Sequence, residues 1–516
     1  YHWSSRQSPE FLRDQVTASL ANAVAEGWDG LLRDQRAYLD RFWERADVTI
    51  EGDPAVQQAL RFALFHLLQA GARIEGRAIA AKGLTGPGYD GHAFWDTETF
   101  VLPWMTYVLP DVVRHALVWR HSILDKARDR AKLLGLQGAT LPWRTIHGEE
   151  CSGYWPAGSA ALHINGDVAD AVRRYLDASG DEAFGAQEGG ELLVETARLW
   201  ISAGCYDHDG NFRIDGVTGP DEYSALVDNN IFTNLGAQAN LHAAADAVER
   251  HPELAERMGV GPEELQRWRA AAAAMFIPYD ERLGVHPQDQ GFLLHDPWDF
   301  DATPQDHYPL LLNYPYFQLY RRQVIKQADL VLALHLHGNA FTPEEKRRNF
   351  DYYEALTVRD SSLSACTQSI VAAEVGHLDL AYDYLREAAF VDLHDLHHNT
   401  GDGLHIASLA GAVLGVTNGF GGMRDSGGRL RFCPRLPRSV PSVSFSITAG
   451  AARLRIRIDQ KQAHYELETG DAIEFEHCDQ PVRVEAGTPQ SRPIVALPEL
   501  PRPRQPVGRE PARHGS

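Results

Sequence analysis

Gly216-Val-Thr-Gly-Pro-Asp-Glu-Tyr-Ser-Ala-Leu-Val-Asp-Asn-Asn230 sets an acidic pair, Asp221-Glu222, on a Gly-Pro turn ahead of a helical pattern running from Asn230 to Arg250. Gly219 is read as permitting unusual backbone angles, and Pro220 as fixing φ for a tight turn. A carboxylate held on such a turn has the defined position that a general acid needs. The other reading is that Asp221 or Glu222 caps the following helix, because acids favour the first turn. The rest of the chain decides between them.

Outward from this stretch, loop and helix alternate. Residues 9–46 form an amphipathic pattern with Phe11, Val16, Leu20, Val24 and Trp28 at near-helical spacing. After Asp53-Pro54 comes the stripe Ala59, Leu60, Ala63, Leu64, Leu67 and Leu68, with Pro54 well placed at a helix start. Helical patterns recur at Asp111–Leu134, Asp167–Ala178, Glu191–Ala203, Pro262–Met275 and Tyr316–Leu336. Others cover Glu344–Ala355, Ser361–Glu374, Leu378–Val391 and Leu404–Leu414, making about a dozen in all. The loops Gly83–Trp95, Pro142–Pro156, Asp215–Tyr223 and His394–His405 are long and rich in Gly, Pro, Trp, His and Asp, the composition of a lined pocket. Paired helices with such loops at one end predict a mainly α fold, an α/α toroid.

After Gly422 the period falls to two, in Leu430–Pro434, Val443–Thr448, Leu454–Ile458 and Ala472–Glu476. The expected organisation is helices over 1–46, a barrel over 47–427, a small C-terminal antiparallel β domain over 428–488 and a disordered Pro- and Arg-rich tail over 489–516. A net charge of −21 argues against nucleic-acid and anionic-membrane partners. Five scattered cysteines without a Cys-x-x-Cys pair suit a reducing cytoplasm and no structural zinc. No apolar run is long enough to span a bilayer and no signal peptide opens the chain, which begins with Tyr1 as a fragment of a longer protein would.

Several stretches carry candidate chemistry. Gly88–Glu98 places Trp95 beside Asp96, a face for a sugar ring next to an acceptor for its hydroxyls; the competing roles are a core Trp and a helix cap. Pro142–Pro156, with Trp143, Arg144, Glu149 and Glu150, suits selection of a second sugar, although a solvated surface explains the two glutamates equally well. Lys326-Gln-Ala-Asp329 puts a lysine inside an apolar helix, where it needs a partner or a function; a structural ion pair at the surface is the alternative. Asp360-Ser-Ser-Leu-Ser364 opens a helix, as an anion site or as an ordinary N-cap. His394, His397, His398 and His405 match no recognised zinc spacing, so no metal is expected, and a phosphate-binding histidine beside Gly401 and Gly403 is preferred.

Together these stretches resemble glycoside hydrolase family 65, the inverting disaccharide phosphorylases acting on maltose, kojibiose or trehalose. The matching motifs are Gly91–Glu98, Thr218–Tyr223, Lys326–Asp329, Asp360–Ser364 and Gly403–Gly411, in the family's order, with Leu430–Pro437 opening the tail domain. The resemblance implies an (α/α)6 barrel with a C-terminal β domain and Glu222 as general acid. It implies Trp95, Asp96, Lys326 and Gln327 around the transferred glucose, and Ser361, Ser362 and His405 around phosphate. It makes residues 1–46 the linker helices that follow a large N-terminal β-sandwich, which this sequence lacks. Trp143–Ser152 with Tyr154–Asn165 looks most like the trehalose phosphorylase branch.

An inverting glycosidase needs an acid and a second carboxylate that activates water. A phosphorylase needs only the acid, because phosphate supplies its own nucleophile. The expected reaction is trehalose plus inorganic phosphate giving β-glucose 1-phosphate and glucose, without a cofactor. Glu222 is expected to have a raised pKa from burial and from Asp221. The rivals are phosphorolysis of kojibiose, nigerose or maltose, a same-fold hydrolase with Asp360 as base, and a non-catalytic carbohydrate-binding protein. A homodimer is the assembly kept in view.

Overall fold

A computed structural model describes residues 7–71, 76–495, 497 and 500–513. The chain divides into two compact units, 1–47 and 48–516. The first contains α1 (Pro9–Ala46), capped by Ser8, whose Oγ accepts from Phe11 N, and interrupted at Gly27, where φ is 66°.

In the second unit Asp53 caps α2 (Pro54–Gly71), its Oδ1 accepting from the N–H groups of Ala55 and Val56. The predicted stripe from Ala59 to Leu68 is buried, as an amphipathic helix requires. There follow α3 (Pro110–Ser122), α4 (Leu124–Leu133), α5 (His163–Ser179), α6 (Gly190–Ala203), α7 (Ile231–Arg250) and α8 (Pro262–Ala273). Then come α9 (Leu330–Leu336), α10 (Pro343–Glu354), α11 (Ser364–Val375), α12 (Leu378–Phe390) and α13 (Ile406–Leu414). α7 packs on α5, α6 and α8, α11 packs on α12, and α13 returns to α2, so the last helix meets the first in an α/α barrel. α5 and α7 approach through two glycines: a side chain on Gly166 would meet the Gly236 backbone at 3.2 Å.

Two helices differ from expectation. Asp111–Leu134 is divided at Ile123 into α3 and α4. The helix expected over Tyr316–Leu336 is confined to a short turn, Tyr316–Leu319, and to α9. Between them Ile325 bridges to Thr357 and Lys326 N donates to Asp221, so Lys326–Asp329 is a loop whose polar backbone is used by other segments.

The β domain comprises β1 (Thr49–Ile50), β2 (Met423–Arg424), β3 (Arg431–Phe432), β4 (Ser442–Ala449), β5 (Ala452–Asp459), β6 (Gln462–Thr469), β7 (Ala472–His477), β8 (Gln480–Glu485) and β9 (Gln490–Pro493). One sheet runs β1-β4-β5-β6-β9, the other β8-β7-β3-β2; the pairings are antiparallel except β3 with β7. β5 alternates as read, with Ala452, Leu454, Ile456 and Ile458 inward. β1 pairs Thr49 with Ser444, so the domain recruits residues from ahead of the barrel.

The described residues of the expected disordered tail, 489–495, 497 and 500–513, are instead ordered within the second unit; 496, 498–499 and 514–516 lie outside the described residues. β9 extends the sheet, Arg502 donates to Asp383, and buried Gln505 donates to Glu354 and Tyr384. Its polar groups have specific buried partners, which composition does not reveal. No helix among the described residues is long and apolar enough to cross a membrane.

Candidate active site

The acidic turn is fixed from below by Asp221, which is fully buried. Its Oδ1 accepts from Lys326 N at 2.8 Å and Tyr223 N at 3.2 Å, and its Oδ2 accepts from Gln288 Nε2 at 3.0 Å. Burial still raises its carboxyl to about 6. Gly219 is required for space rather than for backbone angle: an added Cβ would sit 2.4 Å from both Asn230 Nδ2 and Asp329 Oδ2. Neither acid caps a helix, since Asn230 caps α7 by accepting from Thr233 N at 2.9 Å. Glu222 is left facing a cavity of about 110 Å³.

Glu222 is not isolated in an apolar pocket. Its Oε2 accepts from Lys326 Nζ at 2.7 Å, and both side chains are largely shielded from solvent. Burial opposes the Lys326 charge, but Glu222 outweighs it and holds the ammonium above the ordinary lysine value. Gln327 Nε2 donates to Pro220 O, tying the lysine loop to the acidic turn.

Across the cavity Trp95 and Asp96 follow the glycine loop. Asp96 is raised to about 7 by burial, with the charge of Glu222 adding to it, so its ionisation changes across neutral pH. Behind them Arg120 makes a two-pronged, fully buried pair with Glu98, at 2.7 and 2.9 Å, and donates to Phe94 O at 3.3 Å. Tyr89 and Asp90, with φ of 56° and 53°, hold left-handed conformations unusual for residues with side chains, and Tyr89 lines the cavity.

Ser361, Ser362 and His405 line the third side. The serines lie on the turn entering α11, with Ser361 Oγ accepting from Leu363 N at 3.3 Å. His405 precedes α13; its Nδ1 lies 2.6 Å from Asp392 Oδ1 and its backbone N–H donates to Oδ2, an arrangement that leaves Nε2 for a ligand. Asp360 is a brace. Its side chain is 1% exposed, accepts from Tyr223 Oη at 2.7 Å and Leu310 N at 2.8 Å, and takes Arg509 Nη2 from the tail at 3.1 Å.

Trp143, Lys326 and Gln327 also line the cavity; Arg144, Glu149 and Glu150 do not. Arg144 lies over the Tyr89 and Phe94 rings at the rim. Glu149 is exposed and pairs with Lys126 at 2.5 Å, while Glu150 accepts from Trp143 N and Ser152 N, shaping its own loop. Of the other histidines, His397 lies beside His405 and His394 stacks on Phe390.

Two features escaped the sequence reading. Lys82 is buried against the cavity, and its Nζ has no hydrogen-bond partner among the described residues. Burial lowers its pKa, while Asp392, Asp402 and Asp96 act in the opposite direction from a distance. The backbone approach that encloses it demands glycine: a Cβ on Gly86 would meet Asp402 O at 2.5 Å, and Gly403 has φ of 109°. The second feature is a tyrosine cluster beside the acid, with Tyr154 Oη donating to Glu222 O and 2.8 Å from Tyr320 Oη, and Tyr316 packed on both.

The sequence matches the glycosyl hydrolase family 65 central catalytic domain over residues 61–414 and that family's C-terminal domain over 423–484. An uncharacterized glycosyl hydrolase of Mycobacterium tuberculosis is 55% identical over 514 residues, covering 99% of this chain and 65% of that protein. An alpha,alpha-trehalose phosphorylase of Geobacillus stearothermophilus is 45% identical over 455 residues, 86% of this chain and 59% of that protein. The chain thus spans less than two thirds of the length of these relatives, 65% and 59%. A solved human-microbiome structure, assigned as a kojibiose phosphorylase, superposes with a TM-score of 0.89 at 27% identity, covering 96% of this chain and 74% of its own.

Proposed function

This chain belongs to glycosyl hydrolase family 65, and we propose that its site carries out inverting phosphorolysis of an α-glucosidic disaccharide. Glu222 protonates the glycosidic oxygen, the bond from that oxygen to C1 breaks, and phosphate attacks C1 from the opposite face. The products are β-glucose 1-phosphate and the released sugar. Glu222 must hold a proton when the disaccharide is bound, so its arrival separates the acid from Lys326, which with Gln327 and Asp96 then holds sugar hydroxyls.

The observation that carries this reading is the unpartnered, buried ammonium of Lys82 in the same small cavity as Ser361, Ser362 and His405. An ammonium that has the Tyr89 ring beside it and only more distant carboxylates, and that shares the cavity with two hydroxyls and an imidazole, suits an anion better than the activation of water. The hydrolytic alternative loses its candidate base, because both oxygens of Asp360 are engaged and out of solvent. The tyrosine cluster beside Glu222 offers apolar faces and hydroxyls for the leaving sugar. Trehalose is the proposed substrate, supported by the 45% identity to a trehalose phosphorylase. We place the protein in the cytoplasm, a setting its five unpaired cysteines fit.

Ser361→Ala with Ser362→Ala is expected to raise the KM for phosphate about tenfold or more, with a smaller change in the KM for the disaccharide. Steady-state kinetics varying each substrate in turn checks this, and an unchanged phosphate KM removes the serines from the cradle. Arg509→Ala should weaken phosphate in the same direction, because Asp360 immediately precedes the two serines and loses its cation. Arg509→Lys, which keeps the charge, should recover part of the loss; equal kinetics in all three proteins would mean that the tail does not position the cradle.

A further inference from the structure

A second pocket, of about 500 Å³, opens where β2 and β3 meet α10 and α11. Lys346, Arg424, Arg429, Arg431 and Arg435 line it, in a protein whose acidic residues outnumber basic ones by 70 to 49. Composition therefore does not account for this cluster.

Three carboxylates answer the five cations. Glu374 accepts from Lys346 Nζ and from Arg424 Nη2, each at 2.6 Å. Asp479 pairs with Arg431 at 2.9 Å, and Glu476 reaches only to 3.7 Å from Arg429. Arg435 has no carboxylate within ion-pair distance among the described residues, and its guanidinium donates to the Glu374 backbone carbonyl. The Nε–H groups of Arg424, Arg431 and Arg435 are buried without an acceptor. Positive charge is in excess here, and three donors of guanidinium forks are unspent.

We propose that this pocket binds the phosphoryl group of a small organic phosphate. Planar guanidinium forks match phosphate oxygens two at a time, and a cluster of them recognises the dianion in a way a lone lysine does not. The pocket is larger than one phosphate group requires, and it falls within the range of sites that enclose a small molecule. The organic part, a sugar or a nucleoside, lies in the remaining volume along Phe341 and Pro343.

The test is calorimetric titration of the whole chain with glucose 6-phosphate, AMP, glucose and inorganic phosphate at low salt. It is done on Ser361→Ala/Ser362→Ala protein, in which the catalytic cradle is weakened, and the arginine substitutions below separate the two sites. Glucose 6-phosphate or AMP should bind saturably and more tightly than inorganic phosphate, and any glucose binding, which belongs to the catalytic cavity, should be unchanged by the arginine substitutions below. Whichever of the two binds better identifies the organic part. Arg431→Ala should weaken that binding at least tenfold, and Arg429→Ala, at a side chain 80% exposed and so without risk to folding, should weaken it in the same direction. Absence of binding by both organic phosphates overturns the proposal. So does binding that both arginine variants leave within twofold, or a preference for inorganic phosphate.

Discussion

Glu222→Gln is expected to lower phosphorolysis of trehalose by about 10²- to 10⁴-fold, the usual loss when a positioned general acid is removed. Glutamine keeps the size of the side chain and an acceptor for Lys326 Nζ, now 2.7 Å from Glu222 Oε2, so circular dichroism and sugar binding should be retained. That separation matters, because a protein that merely binds carbohydrate would also keep its sugar affinity but would have no turnover to lose. The readout is glucose 1-phosphate formed per enzyme at saturating substrates. Near-parental turnover would remove Glu222 from the chemistry and with it the whole orientation of the site.

The second large effect concerns stability. Arg120→Met should destabilise the barrel by about 3–5 kcal/mol, since it strands the Glu98 carboxylate in a site where both partners are essentially unexposed. Urea-induced unfolding followed by circular dichroism measures it. Glu98→Leu combined with Arg120→Met should recover most of the loss, because the cost comes from the unpaired charge and not from a missing attraction. A single variant as stable as the parent, within about 0.5 kcal/mol, would contradict the buried-pair account. Arg120 also holds Phe94 O, so surviving protein should bind sugar more weakly through the adjacent Trp95-Asp96 turn.

The helices were legible where one face is buried and the other is not, as in α2, because burial imposes the 3.6-residue period. The same logic misled at Tyr316–Leu336. Val324, Ile325 and Ala328 are buried, but a bridge from Ile325 to Thr357 and the hydrogen bond from Lys326 N to Asp221, not a helix, put them there; the helix begins only at Leu330. Glu222, Lys326, Gln327, the two serines and His405, which line one cavity, could be singled out because they lie in local motifs. Lys82 was missed because nothing in Ala80-Ala81-Lys82 signals burial; the close approach of the nearby Gly86 backbone to the distant Asp402-Gly403 backbone encloses it. Glu149 and Glu150 have a ligand's chemistry, yet their partners are Lys126 and the loop's own N–H groups. The tail was read from composition alone, and the partner of Arg509 lies 149 residues away.

The central claim is that phosphate, not water, takes the glucosyl group. Glucose release from trehalose, measured with and without added phosphate and followed by analysis of the sugar phosphate, tests it most directly. The account predicts release only with phosphate, in equal amount to β-glucose 1-phosphate. Release at the same rate without phosphate would contradict it.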